Sequence, residues 1–353
     1  MQKMIDIVIP TAQKGGVENV INMLAMHLLK NDFRVRVVQF VWEKYCWLSE
    51  EIEFYPMREG LGNYTSDEFV SDYENFLQEN GVPDLIVATN WPLMPYIIRN
   101  ATARLNVHIP ILSWVHNEIE RYEANGFGGV EYMQYADAHL AINSKIKDTI
   151  LSRFPDEIVF DVKNPVDLDK LQKYQLNHKN LNFKLIFVGR LSAVKRVEII
   201  VRAMTNTKKE WTLDIVGEGE LHDYIKSIVV ECGVEDRIHW VGWESEPWKH
   251  ASDKAFLVMP SAFEGFPLTA IEANACGLPV IATPVSGVRC LIEPGVNGYL
   301  IPFDDSGALT KVLDYISDEK LPYLEPKACI EKSKMYDKNI VLDEYVEIFR
   351  KLI

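Results

Sequence analysis

Short, almost wholly apolar runs alternate with stretches whose apolar residues recur at helical spacing, and the alternation is played through twice along the chain. In the first half IDIVIP (5–10), RVRVVQFV (34–41), DLIVAT (84–89), IPILSWVH (109–116), ADAHLAIN (136–143) and EIVFDVKNP (157–165) read as strands. VENVINMLAMHLLKN (17–31), SDEFVSDYENFLQEN (66–80) and the segment after the Pro-rich turn WPLMP read as helices. Strands this apolar, alternating with helices, describe a parallel sheet covered on both faces. The acidic, aromatic stretch SEEIEFYPMREG (49–60) interrupts the pattern and reads as a surface segment between elements.

The pattern lapses over LDKLQKYQLNHKNLN (168–182) and then restarts. FKLIFVGRL, WTLDIVGEG, RIHWVGW, KAFLVMPS and LPVIATP read as strands, with KRVEIIVRAMTNT, ELHDYIKSIVVECG, LTAIEANACG and SGALTKVLDYI as helices. The tail after Asp337 is helical too. The expected fold class is α/β, with two Rossmann-like open-sheet domains at 1–170 and 171–337 and a last helix at 338–353. Two such domains usually take a ligand in the cleft between them, beyond the carboxyl ends of the strands.

Composition narrows the choices. A chain of 353 residues, 48% hydrophobic, can fill two cores. The net charge of -14 is spread along the chain without a Lys/Arg block, which argues against a nucleic-acid binder. Cys46, Cys232, Cys276, Cys290 and Cys329 are odd in number, widely spaced and without a CxxC, as expected of free thiols in a reducing compartment. The first apolar run breaks at Pro10, and no run approaches the roughly 18 apolar residues of a membrane span. The expected location is cytoplasmic, with peripheral membrane contact left open.

Four segments carry candidate chemistry. In TAQKGGVENV (11–20) a strand feeds Gly15 and Gly16 and then a helix start, where backbone can approach an anion; an ordinary strand–helix turn has the same look. It lacks the GxGxxG spacing of a dinucleotide fold. In VGRLSAVKR (188–196) Arg190 and Lys195 flank a strand-to-helix turn and suit a diphosphate. SAFEGFPLTAIEANACGLPVIAT (261–283) places Glu264 in a loop and Glu272 within the following helix, beside a helix N-terminus. Carboxylates so close to an anion site suit sugar and ribose hydroxyls. In ILSWVHNEIERY (111–122) His116 follows a buried strand, with Glu118 and Glu120 as more exposed candidates. DIVGEGE (214–220) sets Gly217 and Gly219 at a strand end, and WVGW (240–243) could frame a flat base; a plain structural turn accounts for each equally well. No HExxH and no cysteine cluster marks a metal site, so a metal-independent reaction is expected.

Taken in order, the Gly15–Gly16 loop, NPVD (164–167), GRLSAVKR, the Glu264-to-Glu272 unit and SGVRCLIEPGVNGYLIPFDD (286–305) resemble the family-four retaining glycosyltransferases (glycosyl transferases group 1) over nearly the whole chain. SWVHNE, YADAHLAINSKIK (135–147), WVGWESEPW (240–248) and SAFEGFPLT look most like the lipopolysaccharide-core α-1,6-galactosyltransferases that use UDP-galactose. The resemblance implies the GT-B fold, an acceptor-binding first domain, a donor-binding second domain and a final helix that crosses back to the first. It implies a UDP-hexose donor, galactose or glucose, no cofactor, and a glycan or lipid-linked oligosaccharide acceptor in bacterial surface polysaccharide synthesis.

By the same resemblance Gly15 and Gly16 approach the donor phosphate or the acceptor, and His116 contacts the donor sugar. Arg190 and Lys195 hold the diphosphate, Glu264 the transferred sugar and Glu272 the ribose. Gly217 and Val241 line the donor site, and amides around Phe266, Leu268 and Thr269 seat sugar and phosphate. Pro267 departs from the family's small residue and removes one amide donor. The alternatives are a sugar-nucleotide epimerase of the same fold, a nicotinamide oxidoreductase, and a binding protein without turnover.

Overall fold

The computed structural model describes residues 2–12, 15–44, 46–60, 62, 64–176, 182–322 and 324–353. Part of the 168–182 boundary stretch, residues 177–181, lies outside them, as do Gln13 and Lys14 of the glycine loop. The chain divides into two compact units, Met1–Pro165 with Lys338–Ile353, and Val166–Asp337.

The first unit runs β1 (Lys3–Thr11), α1 (Gly16–Lys30), β2 (Phe33–Trp42), β3 (Glu53–Glu59), α2 (Ser66–Asn80), β4 (Leu85–Thr89) and α3 (Met94–Arg104). It continues through β5 (Ile111–Val115), α4 (Ile119–Ala124), β6 (Ala138–Ala141), α5 (Ser144–Arg153) and β7 (Val159–Asp161). The described strands form one parallel sheet in the order β3-β2-β1-β4-β5-β6-β7. β1 and β4 are covered on both faces, and their continuous burial is what an apolar, non-alternating run produces.

One charged pair sits inside this core. Asp6 and Arg36 are register partners on β1 and β2, both fully buried, and the guanidinium grips the carboxylate at 2.7 and 2.9 Å. Arg36 also donates to the carbonyls of Asn80 and Gly81 at the end of α2, and the Tyr73 hydroxyl donates to Asp6. Every charge is thus matched, as burial at this depth requires.

The 49–60 stretch is not merely a surface segment: Glu53–Glu59 is strand β3, parallel to β2 at the sheet edge. An edge strand is only half-buried and tolerates Pro56, so it carries neither the apolar run nor the clean alternation that betrays an inner strand.

The second unit runs α6 (Leu168–Leu171), β8 (Lys184–Val188), α7 (Val197–Thr205), β9 (Thr212–Val216), α8 (His222–Cys232), β10 (Ile238–Gly242) and β11 (Phe256–Met259). It ends with α9 (Leu268–Ala275), β12 (Val280–Ala282), α10 (Ser286–Leu291), β13 (Gly298–Leu300), α11 (Ser306–Ser317) and α12 (Pro326–Ser333). Its parallel sheet has the order β10-β9-β8-β11-β12-β13. Order reverses between β8 and β11, the switch point at which such sheets open a crevice beyond their carboxyl ends.

The chain enters this unit at Val166 and leaves it at Asp337, and the two are paired: the Val166 N–H donates to Tyr336 at 2.8 Å beside a parallel bridge to Asp337. The last helix, α13 (Lys338–Leu352), buries Val341, Tyr345 and Phe349 in the first unit. Its Tyr345 hydroxyl donates to the Lys163 carbonyl at 3.1 Å.

Candidate functional site

The strand-end loops of the second unit are stitched together by backbone. The Gly189 N–H donates to Val216 at 3.0 Å, Leu191 to Glu218 at 2.9 Å, and Gly217 to Gly242 at 2.7 Å. Gly217 has φ +139, and a Cβ there would stand 1.9 Å from the Gly189 carbonyl oxygen; one on Gly219 would stand 2.3 Å from that of Leu191. These two glycines therefore let one loop lie directly on the next. Val241, at the end of β10, packs half-buried against the apolar cluster under α9.

Two polar clusters arise above this base. In the first, the loop carrying Val194 and Lys195 lies against the loop after β11, where the Ala262 N–H donates to the Val194 carbonyl at 2.9 Å. Lys195 Nζ reaches Glu264 Oε1 at 2.7 Å, and the Ser261 hydroxyl donates to the same oxygen at 2.6 Å. Both side chains of the ion pair are largely buried. Two donors on one oxygen leave Glu264 Oε2 without a hydrogen-bond partner among the described residues.

The second cluster lies one element further. Trp248, buried in the short helical turn Pro247–His250, donates its indole N–H to Glu272 Oε2 at 3.0 Å. Burial pushes the Glu272 carboxyl up to about 7, against the pull of the indole bond.

Arg190 is placed apart from these clusters. It is exposed after β8 and turned to Glu220 at 3.1 Å. An exposed pair of this kind holds its partners weakly, so Arg190 is readily redirected to a stronger anion.

The loop into α9 is tighter than the sequence suggested. The Leu268 N–H donates to the Phe266 carbonyl at 3.0 Å, so that amide is engaged inside the turn. Pro267 precedes the helix and abuts α10, where a Cβ on Gly287 would meet its ring at 2.4 Å. Phe266 packs edge-on against Tyr336, and Thr269 lies half-buried in the first turn of α9.

In the first unit, His116 follows β5 and is buried against Trp114, ring centroids 4.3 Å apart. Neither ring nitrogen has a hydrogen-bond partner among the described residues, and burial holds the imidazole neutral, its pKa lowered to about 3. The Tyr122 phenol oxygen lies next to the His116 backbone and within the field of Glu18. Glu18 is in the first turn of α1, whose N-cap is Gly15 and first residue Gly16. The glycine loop and His116 thus share one neighbourhood. Of the other candidates there, Glu120 ties α4 to α5 through Lys145 and Thr149, at 2.8 and 3.2 Å.

Sequence reasoning overlooked Trp248, Ser261, Tyr122 and Glu220. Among the described residues no group of three or more His, Cys, Asp or Glu side chains is disposed to hold a metal ion, and no helix is long and apolar enough to cross a membrane.

The fold recurs in solved structures of known proteins. The solved structure of lipopolysaccharide outer core galactosyltransferase WaaB, apo form, superposes with a TM-score of 0.83 at 24% identity, covering 99% of each chain. Anabaena Alr3699/HepE in complex with UDP gives a TM-score of 0.81 at 19% identity, covering 98% of this chain and 99% of that one. The fold is GT-B, two Rossmann-like parallel-sheet domains.

The model of the family "Glycosyl transferases group 1" matches residues 169–336. Lipopolysaccharide 1,6-galactosyltransferase of Escherichia coli (strain K12) is 30% identical over 269 residues, 72% of this chain and 73% of that enzyme. The enzyme of the same name from Salmonella typhimurium is 33% identical over 239 residues, 65% of this chain and 64% of its own length. The chain belongs to the glycosyl transferases group 1 family.

Proposed function

We propose that this glycosyltransferase moves galactose or glucose from a UDP-sugar to a hydroxyl of a glycan or lipid-linked oligosaccharide in surface-polysaccharide synthesis, with retention of configuration and without a metal ion. The observation that carries the reading is the Lys195–Glu264–Ser261 cluster beside the β8/β11 switch point. A cation held by a carboxylate in a mostly buried loop is pre-placed for charge that grows on a leaving diphosphate, and costs no reorganisation when it does. Glu264 Oε2 is left to accept from a sugar hydroxyl. Arg190 swings from Glu220 to the diphosphate, and Glu272 accepts from ribose hydroxyls. Gly217 and Val241 form the floor of the donor site. With the Leu268 amide engaged, the seating of phosphate falls to the neighbouring Thr269 and Phe266 segment.

The donor class is supported by the UDP complex of the Anabaena protein and by a further structure of it with UDP-glucose. The galactose lean and the surface glycan rest on the names of the enteric relatives. A lipid-linked acceptor is supported by "UDP-Gal:alpha-D-GlcNAc-diphosphoundecaprenol alpha-1,3-galactosyltransferase", 28% identical over 186 residues. The same reading places the enzyme in the cytoplasm, meeting the membrane through its acceptor.

In the first unit, Gly15, Gly16 and the neutral His116 supply backbone and an unpartnered ring nitrogen to a sugar hydroxyl. The front-face route fits this residue set, with the leaving phosphate taking the acceptor proton. A trapped glycosyl–enzyme adduct would overturn it. The first test is calorimetric titration with UDP, GDP and ADP. Selective UDP binding that is lost in Glu272→Ala supports the reading; preference for GDP discards galactose and glucose, and no binding of any of the three removes the donor site.

A further inference from the structure

The search for chemistry outside the residues already assigned ends at the short turn Pro247–His250. Its Trp248 is almost fully buried, yet its one polar atom is spent on a carboxylate rather than on backbone. The turn is braced on both sides by ion pairs. Glu246 binds Lys173 at 2.5 Å, and Lys249 binds Glu244 at 2.7 Å. Trp248 shares an apolar cluster with Ala270, Ile271, Ala273 and Ala275, that is, with the helix that carries Glu272. A buried aromatic braced in this way has little rotamer freedom, so the direction of its N–H is set by the fold.

We propose that Trp248 is a positioning residue for the nucleotide: its indole N–H pins Glu272 Oε2, so that the carboxylate is held in one orientation with Oε1 left to accept from a ribose diol. The inference rests on the reading of Glu272 as the ribose ligand. Glu272 forms no ion pair among the described residues, so the indole supplies the specific contact that favours its charged form against burial. On α6, which also packs against α9, Lys170 lies 3.6 Å from Asp167. Cys276, the next turn of α9, has its thiol pushed far up by burial and by Glu272 itself. Lys173 and Glu246 pair with each other, and Tyr174 lies beside Lys173. On α12, which packs along α9, Lys332 pairs with Glu293 and Glu331 with Lys334. β11 and β12 bring only apolar residues. Among the described residues the Trp248 indole is thus the side-chain donor that Glu272 has, and its loss should make the carboxyl harder to ionise.

The experiment is titration of the full chain with UDP and 2′-deoxy-UDP between pH 6 and 9, comparing wild type, Trp248→Phe and Glu272→Gln. Phe keeps the buried ring and removes only the donor. Loss of a hydrogen bond to a charged group should weaken UDP binding by about tenfold, narrow the UDP to 2′-deoxy-UDP ratio, and move the pH midpoint of binding upward. If Glu272→Gln narrows that ratio while Trp248→Phe keeps the wild-type affinity, ratio and midpoint, the positioning role is wrong and the ribose reading stands. If neither variant alters the ratio, or wild type does not bind UDP, the reading of Glu272 falls and takes this inference with it. A measurement on the unsubstituted protein covers the case in which Trp248→Phe does not fold. In ¹⁵N-indole spectra, the cross-peak displaced by Glu272→Gln should titrate near neutral pH and shift with UDP; a cross-peak indifferent to both overturns the proposal.

Discussion

The two candidate neighbourhoods solve the problem of burying polar groups in opposite ways. In the second unit every candidate side chain that bears a charge already has a partner: Lys195 has Glu264, Arg190 has Glu220 and Glu272 has Trp248. In the first unit His116 is buried with neither ring nitrogen partnered among the described residues. Buried polar groups are almost always satisfied, and an exception needs a reason. The contrast teaches where a ligand should be felt. In the second unit Lys195 and Arg190 are held in ion pairs and Glu272 by a neutral indole, so an incoming diphosphate would have to re-partner the two cations. The first unit buries a neutral ring that no described side chain or backbone group partners.

Changes in charge should separate the two. Lys195→Met is expected to lower kcat by about 10²–10³-fold, the scale of losing one fixed donor to developing charge. Steady-state kinetics with UDP-galactose and UDP-glucose checks this. If Lys195→Met together with Arg190→Ala left the kinetics nearly intact, the diphosphate assignment would fail.

The next effect is on stability. The Glu272 carboxyl titrates near 7 when folded, against 4.5 ordinarily. A raised carboxyl pKa means that the unfolded chain gives up its proton first as pH rises, so stability is lost between those values. Glu272→Gln should match wild type at pH 4 and exceed it at pH 8 by about 3 kcal/mol, read from urea unfolding at the two pH values.

His116→Leu should behave in the reverse sense. It removes two unsatisfied buried nitrogens, and should stabilise by about 1–2 kcal/mol at pH 8. Its advantage should grow below pH 6.5, because the unfolded wild type takes up a proton there and the folded imidazole, lowered to about 3, does not. Turnover should fall nonetheless. A variant that is less stable at every pH would mean that the ring is already satisfied. The smallest effect is expected from Glu220→Ala, which frees an exposed Arg190 and should leave the melting temperature unchanged.

Inner strands were legible because both faces are buried: IDIVIP and DLIVAT had no other reading than the strands β1 and β4. The edge strand β3 was not, since half-exposure and Pro56 erase the signal. Candidate residues could be named from the sequence, but the side chains they pair with could not. Lys195 and Glu264 lie far apart in sequence, and no local spacing reveals that they touch. Trp248 passed as one more aromatic, since hydrogen bonding by a buried indole leaves no periodic trace.

GVNGYLI belongs to the 286–305 segment that resembles the family. In the structure its Asn297 is fully buried, donating to Asn274 Oδ1 at 2.6 Å and accepting from the Glu293 N–H at 2.7 Å, so it latches α9 to the turn before β13. A motif can mark a family through its internal carpentry as readily as through its chemistry.

The return of α13 to the first unit bears on how the molecule is made. Ribosomal synthesis is vectorial, and domains tend to fold as their chain emerges. Residues 166–337 form a self-contained body whose ends are paired at Val166 and Tyr336, so this body can close as soon as Asp337 is out. The part begun first cannot. Trp114 waits for Tyr345, ring centroids 5.2 Å apart, and His27 for Asp343, at 2.7 Å. The first unit is therefore completed only after the whole of the second has been made, because its contacts to α13 cannot form before α13 emerges.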